Sequence, residues 1–298
     1  TRTSRGGPPI GMTSDLRPMA SEQLFGAFPA ATRAHWEAVI TKELKDKDPS
    51  TLRVHVNGTT MPPFGMATDG AVPYTRRRGV KRDDNAWRST IEVDASDADA
   101  NDLLLEGLMG GADSARVTGD LSRLPEVLKD VLLGAIDLQL SGGSAATIRW
   151  LLHEAERQGM RPTELSVCIG LSHDQAVADL HEALQAYPLV RLFEVESKTS
   201  DGALRTGGDL LRRLLASGFS TDNACARIQF RIHLGDDLFL EAARLRAFRE
   251  AWAAVVDAFK PQHDCSHNTW VQAVVSYPAE TKSAHENLIR ATLQAISG

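Results

Sequence analysis

From residue 87 onward, short apolar strand patterns alternate with helical periods, and this alternation limits the folds open to the chain more than any other feature. Strand candidates fall at 87–93, 115–118, 136–141, 165–171, 190–195, 227–234 and 269–276. Helical patterns follow at 97–110, 121–133, 145–158, 172–186, 208–217, 237–259 and 284–296. Strands alternating with helices imply βαβ units and parallel strands. Right-handed crossovers wind seven such units into a barrel or a doubly wound sheet. No GxGxxG follows the first strand; the glycines at 107, 110 and 111 fall at a helix end and read as a C-cap. The expected fold is an α/β TIM-type (β/α) barrel, incomplete at seven recognisable strands where eight close the circle.

The amino-terminal third reads differently. Residues 1–11 are rich in Gly, Pro, Ser and Arg ahead of Met12, and are set aside as a cloning remnant. Residues 12–85 are expected to form an N-terminal helical extension to a barrel at 86–298. Thr32 is a candidate N-cap for a helix to about Leu44, with Trp36, Val39, Ile40 and Leu44 on one stripe. A short strand is expected at 52–56, then a Pro/Gly-rich loop at 58–74. The formal net charge of -6 gives no basic field for nucleic acid. No apolar run approaches the roughly 18–20 residues of a membrane span. Three scattered cysteines point to a reducing cytoplasm rather than a disulfide framework.

Two segments carry a family likeness. Residues 24–64 contain LFGAFPAATRAHWEAVITKEL and a Gly-x-x-x-x-Pro turn. Residues 214–260 keep Arg227, Phe230, Gly235, Phe239, Glu241, Ala243, Arg244, Arg246, Ala247, Arg249 and Trp252 in one register. The final NLIRATLQAI adds a third, weaker match. In these segments the chain resembles the acyl-CoA-binding barrel domain of the methylmalonyl-CoA mutase family, and in character its small, non-catalytic subunit. The same residues also stand as an apolar helix stripe with Asp236 and Asp237 at its amino end and ion-paired charges along it.

The resemblance implies adenosylcobalamin chemistry on an acyl-CoA, yet the residues for it are missing. No Asp-x-His-x-x-Gly motif of a cobalamin-binding domain occurs. The family's tyrosine loop corresponds to residues 74–84, where both later tyrosines are absent. Its histidine after the fifth strand has no counterpart beside Glu194–Lys198 in sequence. The helix at 208–217 also looks shorter than the family's. Its hydroxyl- and amide-rich seventh strand is here the apolar 269–275, which suggests a filled interior rather than a wet CoA channel.

Further candidates come from local chemistry. Arg76, Arg78 and Arg82 belong to a basic loop that could meet an acyl-CoA phosphate. Ser141 opens Ser-Gly-Gly-Ser at a strand-to-helix turn, a phosphate-nest pattern that also suits a plain turn. Arg227, Arg231 and His233 lie on the sixth strand and could reach a barrel mouth. His263-x-Cys265-x-His267 lacks a recognisable fourth metal ligand and reads as a polar loop. No catalytic residue is assigned. The expectation is a cytoplasmic, non-catalytic partner of a cobalamin-dependent mutase chain or a homo-oligomer, which binds no cofactor alone and meets adenosylcobalamin only through that partner. Two alternatives stay open: a repurposed acyl-CoA-binding protein or enzyme, or one half of a split isomerase active only with another chain.

Overall fold

The computed structural model describes residues 32–45, 47–56, 59–63, 87–275 and 283–298. The chain divides into two compact units, residues 1–75 and 76–298. In the first, Thr32 caps α1 (Arg33–Glu43) by accepting from the His35 amide. Trp36, Ile40 and Leu44 share its half-buried stripe, while Val39 is exposed. β1 (Val54–Val56) follows and pairs antiparallel with β2 (Thr59–Met61), so the expected loop at 58–74 begins instead with a second hairpin strand. No described residue of this unit is fully buried.

The second unit runs β3 (Thr90–Asp94), α2 (Ala100–Met109), β4 (Ser114–Thr118), α3 (Leu124–Val127), β5 (Asp137–Leu140), α4 (Ala145–Arg157) and β6 (Ser166–Cys168). It continues with β7 (Val190–Arg191), β8 (Phe193–Ser197), α5 (Ser200–Ala216), α6 (Thr221–Ala226), β9 (Ile228–His233), α7 (Leu238–Ala258), β10 (Trp270–Val274) and α8 (Ala284–Ser297). All strand pairs in it are parallel, in a five-stranded sheet β3-β4-β5-β6-β7 and a three-stranded sheet β10-β9-β8. The two sheets share one bent stretch of chain: β7 and β8 flank Leu192, and the amides of Leu192 and Phe193 both donate to the Arg227 carbonyl, at 2.8 and 3.0 Å.

The strand array is rolled. β3 and β9 are five strands apart, which in a flat sheet is roughly 24 Å at ~4.8 Å per strand. Yet Arg231 Nη2 comes within 3.4 Å of Glu92 Oε2. Among the described residues no backbone ladder joins β10 to β3. Outward-facing Val93, Val117, Leu138, Val167, Phe230 and Ile232 are buried under the helices. Phe230 meets Phe248 and Trp252 edge-on, with ring centroids 4.9 and 4.7 Å away, and Gly207 lets α5 approach because a Cβ there would lie 2.8 Å from both Phe230 and Trp252. No helix of the described residues is long and apolar enough to cross a membrane.

Three helices depart from expectation. The one expected at 121–133 is a 3-10 turn, Leu121–Arg123, and the four-residue α3, ending at Val127. The 172–186 segment forms only isolated turns and a short 3-10 helix, Ala178–Leu180. Pro188 has no N–H to give the Leu184 carbonyl, which accepts instead from the Tyr187 amide at 3.1 Å and from Arg227 Nη2 at 2.8 Å. The helix expected at 208–217 starts eight residues earlier, at Ser200, where Thr199 accepts from the Gly202 amide.

Candidate functional site

Because helices cover the apolar outer face of each strand, the alternate residues point to the axis of the roll, and these are largely polar. Near the strand starts, Asp137 accepts from Ser166 Oγ at 2.6 Å and pairs with Arg191. Arg191 is fully buried, and its guanidinium carbon lies 4.2 Å from the Trp270 ring centroid. Arg88 approaches the same ring at 5.2 Å and Asp137 at 3.9 Å. In the middle, Gln229 donates to Gln139 at 3.2 Å, and Gln139 donates to Ser114 Oγ at 3.3 Å.

Toward the carboxyl ends of the strands the charges cluster. Arg116 Nη1 donates to Glu194 at 2.7 Å. Arg231 donates to Gln272 at 3.0 Å through Nη1, and to Glu196 and Glu92 at 3.4 Å each through Nε and Nη2. His233 Nε2 lies 2.7 Å from Glu196 Oε1. Burial works against the charge on Arg116, but the hydrogen bond and charge of Glu194, with Glu92 and Glu196, carry its pKa above the usual arginine value. Burial also pushes Glu196 up; the His233 hydrogen bond and the Arg231 charge outweigh it and hold the carboxyl below its ordinary range.

The sequence candidates separate. Arg231 and His233 do meet, at this mouth. Arg227 sits at the opposite end of β9, buried, and donates to the carbonyls of Leu184, Tyr187 and Val190. Burial without a carboxylate lowers its pKa to about 10. Ser141 lies in its expected turn, but the amides of residues 141–144 already donate to Val117, Gly170, Ile169 and Thr147, so the nest is spent on the fold. Arg76, Arg78 and Arg82 lie outside the described residues, as does the tyrosine-loop stretch 74–84. In the polar loop, His267 is buried against Asp257, 2.9 Å away, and Cys265 is exposed. Among the described residues no group of three metal-ligating side chains forms.

Sequence reasoning missed Glu92, Arg116, Glu194 and Glu196. It also missed that the fifth-strand end has histidines near it in space: His233 at Glu196, and His173, whose Nε2 lies 3.0 Å from the Glu194 carbonyl. The last strand is not apolar on both faces, since Gln272 accepts from Arg231 and all five residues of β10 are only half-buried. The signal was present: Ile-Glu-Val-Asp, Asp-Leu-Gln-Leu and Ile-Gln-Phe-Arg-Ile-His all alternate. In a strand flanked by covering helices, the polar half of that alternation must face inward.

Chemically, each axis carboxylate faces a guanidinium. The Cys168 thiol is fully buried and pushed up to about 12 by burial, so it stays protonated and is no nucleophile. The helical signature is structural: Arg244 pairs with Glu241 on α7 and donates to the His233 carbonyl at 2.5 Å, fixing the turn after β9.

These features define an α/β protein of parallel strand–helix units rolled about a charged axis. Comparison with known proteins narrows the class. The methylmalonyl-CoA mutase family model matches residues 201–298. The methylmalonyl-CoA mutase small subunit of Propionibacterium freudenreichii subsp. shermanii is 28% identical over 96% of this chain and 53% of its own length. That of Porphyromonas gingivalis is 25% identical over 93% and 52%. A methylmalonyl-CoA mutase of Rhizobium meliloti is 30% identical over 32% of this chain and 13% of its own. These matches support the methylmalonyl-CoA mutase family, and its small subunits in particular, as what this chain is similar to. It spans about half the length of the small subunits it matches.

Proposed function

We propose that this chain is an incomplete TIM-type barrel that serves as a non-catalytic, cytoplasmic partner of a cobalamin-dependent acyl-CoA mutase chain. The observation that carries this reading is the axis itself. Where an acyl-CoA would have to thread, ion pairs from Asp137–Arg191 to Arg231–Glu92 occupy the space. Adenosylcobalamin would be held by the partner: at this mouth His173 and His233 have Nε2 committed to the Glu194 carbonyl and to Glu196, a poor fit to a ligating role. The exposed apolar side chains of Phe239, Leu288, Ile289 and Ile296 on α7 and α8 suit a protein contact. Co-expression with a catalytic methylmalonyl-CoA mutase chain tests the proposal. A stable complex is expected, with no conversion of methylmalonyl-CoA by the pure chain plus adenosylcobalamin. Turnover by the pure chain, or failure to associate at micromolar concentration, would overturn it. A repurposed acyl-CoA binder is the second reading, favoured by Arg231 and His233 at the mouth; saturable binding of an acyl-CoA by the isolated chain would select it.

A further inference from the structure

Arg116 and Arg231 come from strands on opposite sides of the roll, and among the described residues the one carboxylate paired with both is Glu92. Both arginines are more than nine-tenths buried. Glu92 is not: its side chain is 52% exposed, and its Oε2 stands 3.6 Å from Arg116 Nε and 3.4 Å from Arg231 Nη2. These are long for charge-assisted hydrogen bonds, which run at about 2.7–2.9 Å. Arg116 Nε, moreover, is buried and has no hydrogen-bond partner. A buried guanidinium N–H left unpaired is costly, and a half-exposed carboxylate nearby does not satisfy it.

We propose that Arg116 and Arg231 form a binding site for one carboxylate group of a small ligand, and that Glu92 is a resident carboxylate which such a ligand displaces. The charge around the pair sets the ligand class. Glu194 stays on Arg116 at 2.7 Å, and Glu196 stays beside Arg231 and His233. With those two in place the guanidinium charges are already balanced, so a ligand that displaces Glu92 can bring no more than the single negative charge that Glu92 brought. A carboxylate fits, with the planar geometry that a guanidinium fork recognises; a phosphate dianion would face Glu194 and Glu196 with one charge too many. Gln272, 3.0 Å from Arg231 Nη1, fixes the guanidinium from the third side. The site does not depend on partnership with a mutase chain.

The test compares the full chain with Glu92→Gln, using acetate as the single-charge probe and phosphate and chloride at matched ionic strength, followed by calorimetric titration. Glu92 is half exposed, so the variant is expected to fold. Acetate should bind both proteins saturably and bind Glu92→Gln about tenfold more tightly, a difference of roughly 1.4 kcal/mol. Arg231→Gln should abolish binding. Equal affinity in the two proteins, no saturable binding to Glu92→Gln, or an equal effect of chloride would overturn the proposal. Tighter binding of phosphate than of acetate would overturn the single-charge assignment.

Discussion

The guanidinium of Arg191 lies 4.2 Å from the ring centroid of Trp270, although β9 runs between the strands that carry them. Arg191 also pairs with Asp137 two strands away on its other side, so one side chain links three parts of the roll. Stacking on tryptophan and pairing with a carboxylate are both favourable for a desolvated arginine. The pair is costly to break from one side. Asp137→Asn should destabilise the chain by about 3–5 kcal/mol, because it leaves the Arg191 charge buried without compensation. Urea denaturation checks this, and Asp137→Asn combined with Arg191→Met should recover most of the loss.

Gly207 marks the closest approach of α5 to the aromatic cluster. Its Cβ in Gly207→Ala would stand 2.8 Å from Phe230 Cζ and Trp252 Cζ3. Overpacking of this kind costs about 1–3 kcal/mol. Any gain in helix propensity from alanine is smaller, so the urea midpoint should fall.

The thiols divide by burial. Cys168 and Cys225 are buried and raised to about 12, whereas Cys265 is exposed. Iodoacetamide at neutral pH should modify Cys265 alone in the folded chain, and all three after denaturation. Mass spectrometry that finds Cys168 modified in native protein at a comparable rate would contradict the packing around β6.

Asp222 ties α6 to the loop before β10. Its carboxylate accepts from the amides of Gln262 and His263 at 3.2 and 3.0 Å and from Ser266 Oγ at 2.5 Å. Burial pushes its pKa up, but these bonds outweigh burial and leave it lowered. The stability it supplies is therefore full above the unfolded value near ~3.9 and is lost as pH falls through the lower folded value. Asp222→Asn should flatten the acid limb of a stability–pH profile below about pH 4 and leave its slope at neutral pH unchanged.

Much of this fold was readable from local rules. Thr32, Ser144, Asp237 and Ser283 each cap the helix that follows, and the apolar runs mark nearly every strand. The segment 172–186 misled: Val177, Leu180 and Leu184 are buried at helical spacing, yet the Leu184 carbonyl takes its bonds from the Tyr187 amide in a turn and from Arg227, 43 residues away, a contact no local pattern contains. The axis was harder still. Arg231 and Glu92 are 139 residues apart, and each looks like an ordinary surface charge until the strands roll together. Arg227 misled in the other direction, since a signature arginine at a strand end proved to be a hub for main-chain carbonyls.

An interior made of ion pairs also responds differently to heat. Apolar burial gives unfolding its large positive heat capacity, whereas exposure of polar groups lowers that quantity. The cost of keeping charges away from water falls as temperature rises. The column from Asp137 to Glu92 therefore weighs least on the protein when it is warm. Compared with a chain of equal length whose strands enclose layers of valine and leucine, this one should show a shallower stability curve, with its optimum spread over a wider span of temperature.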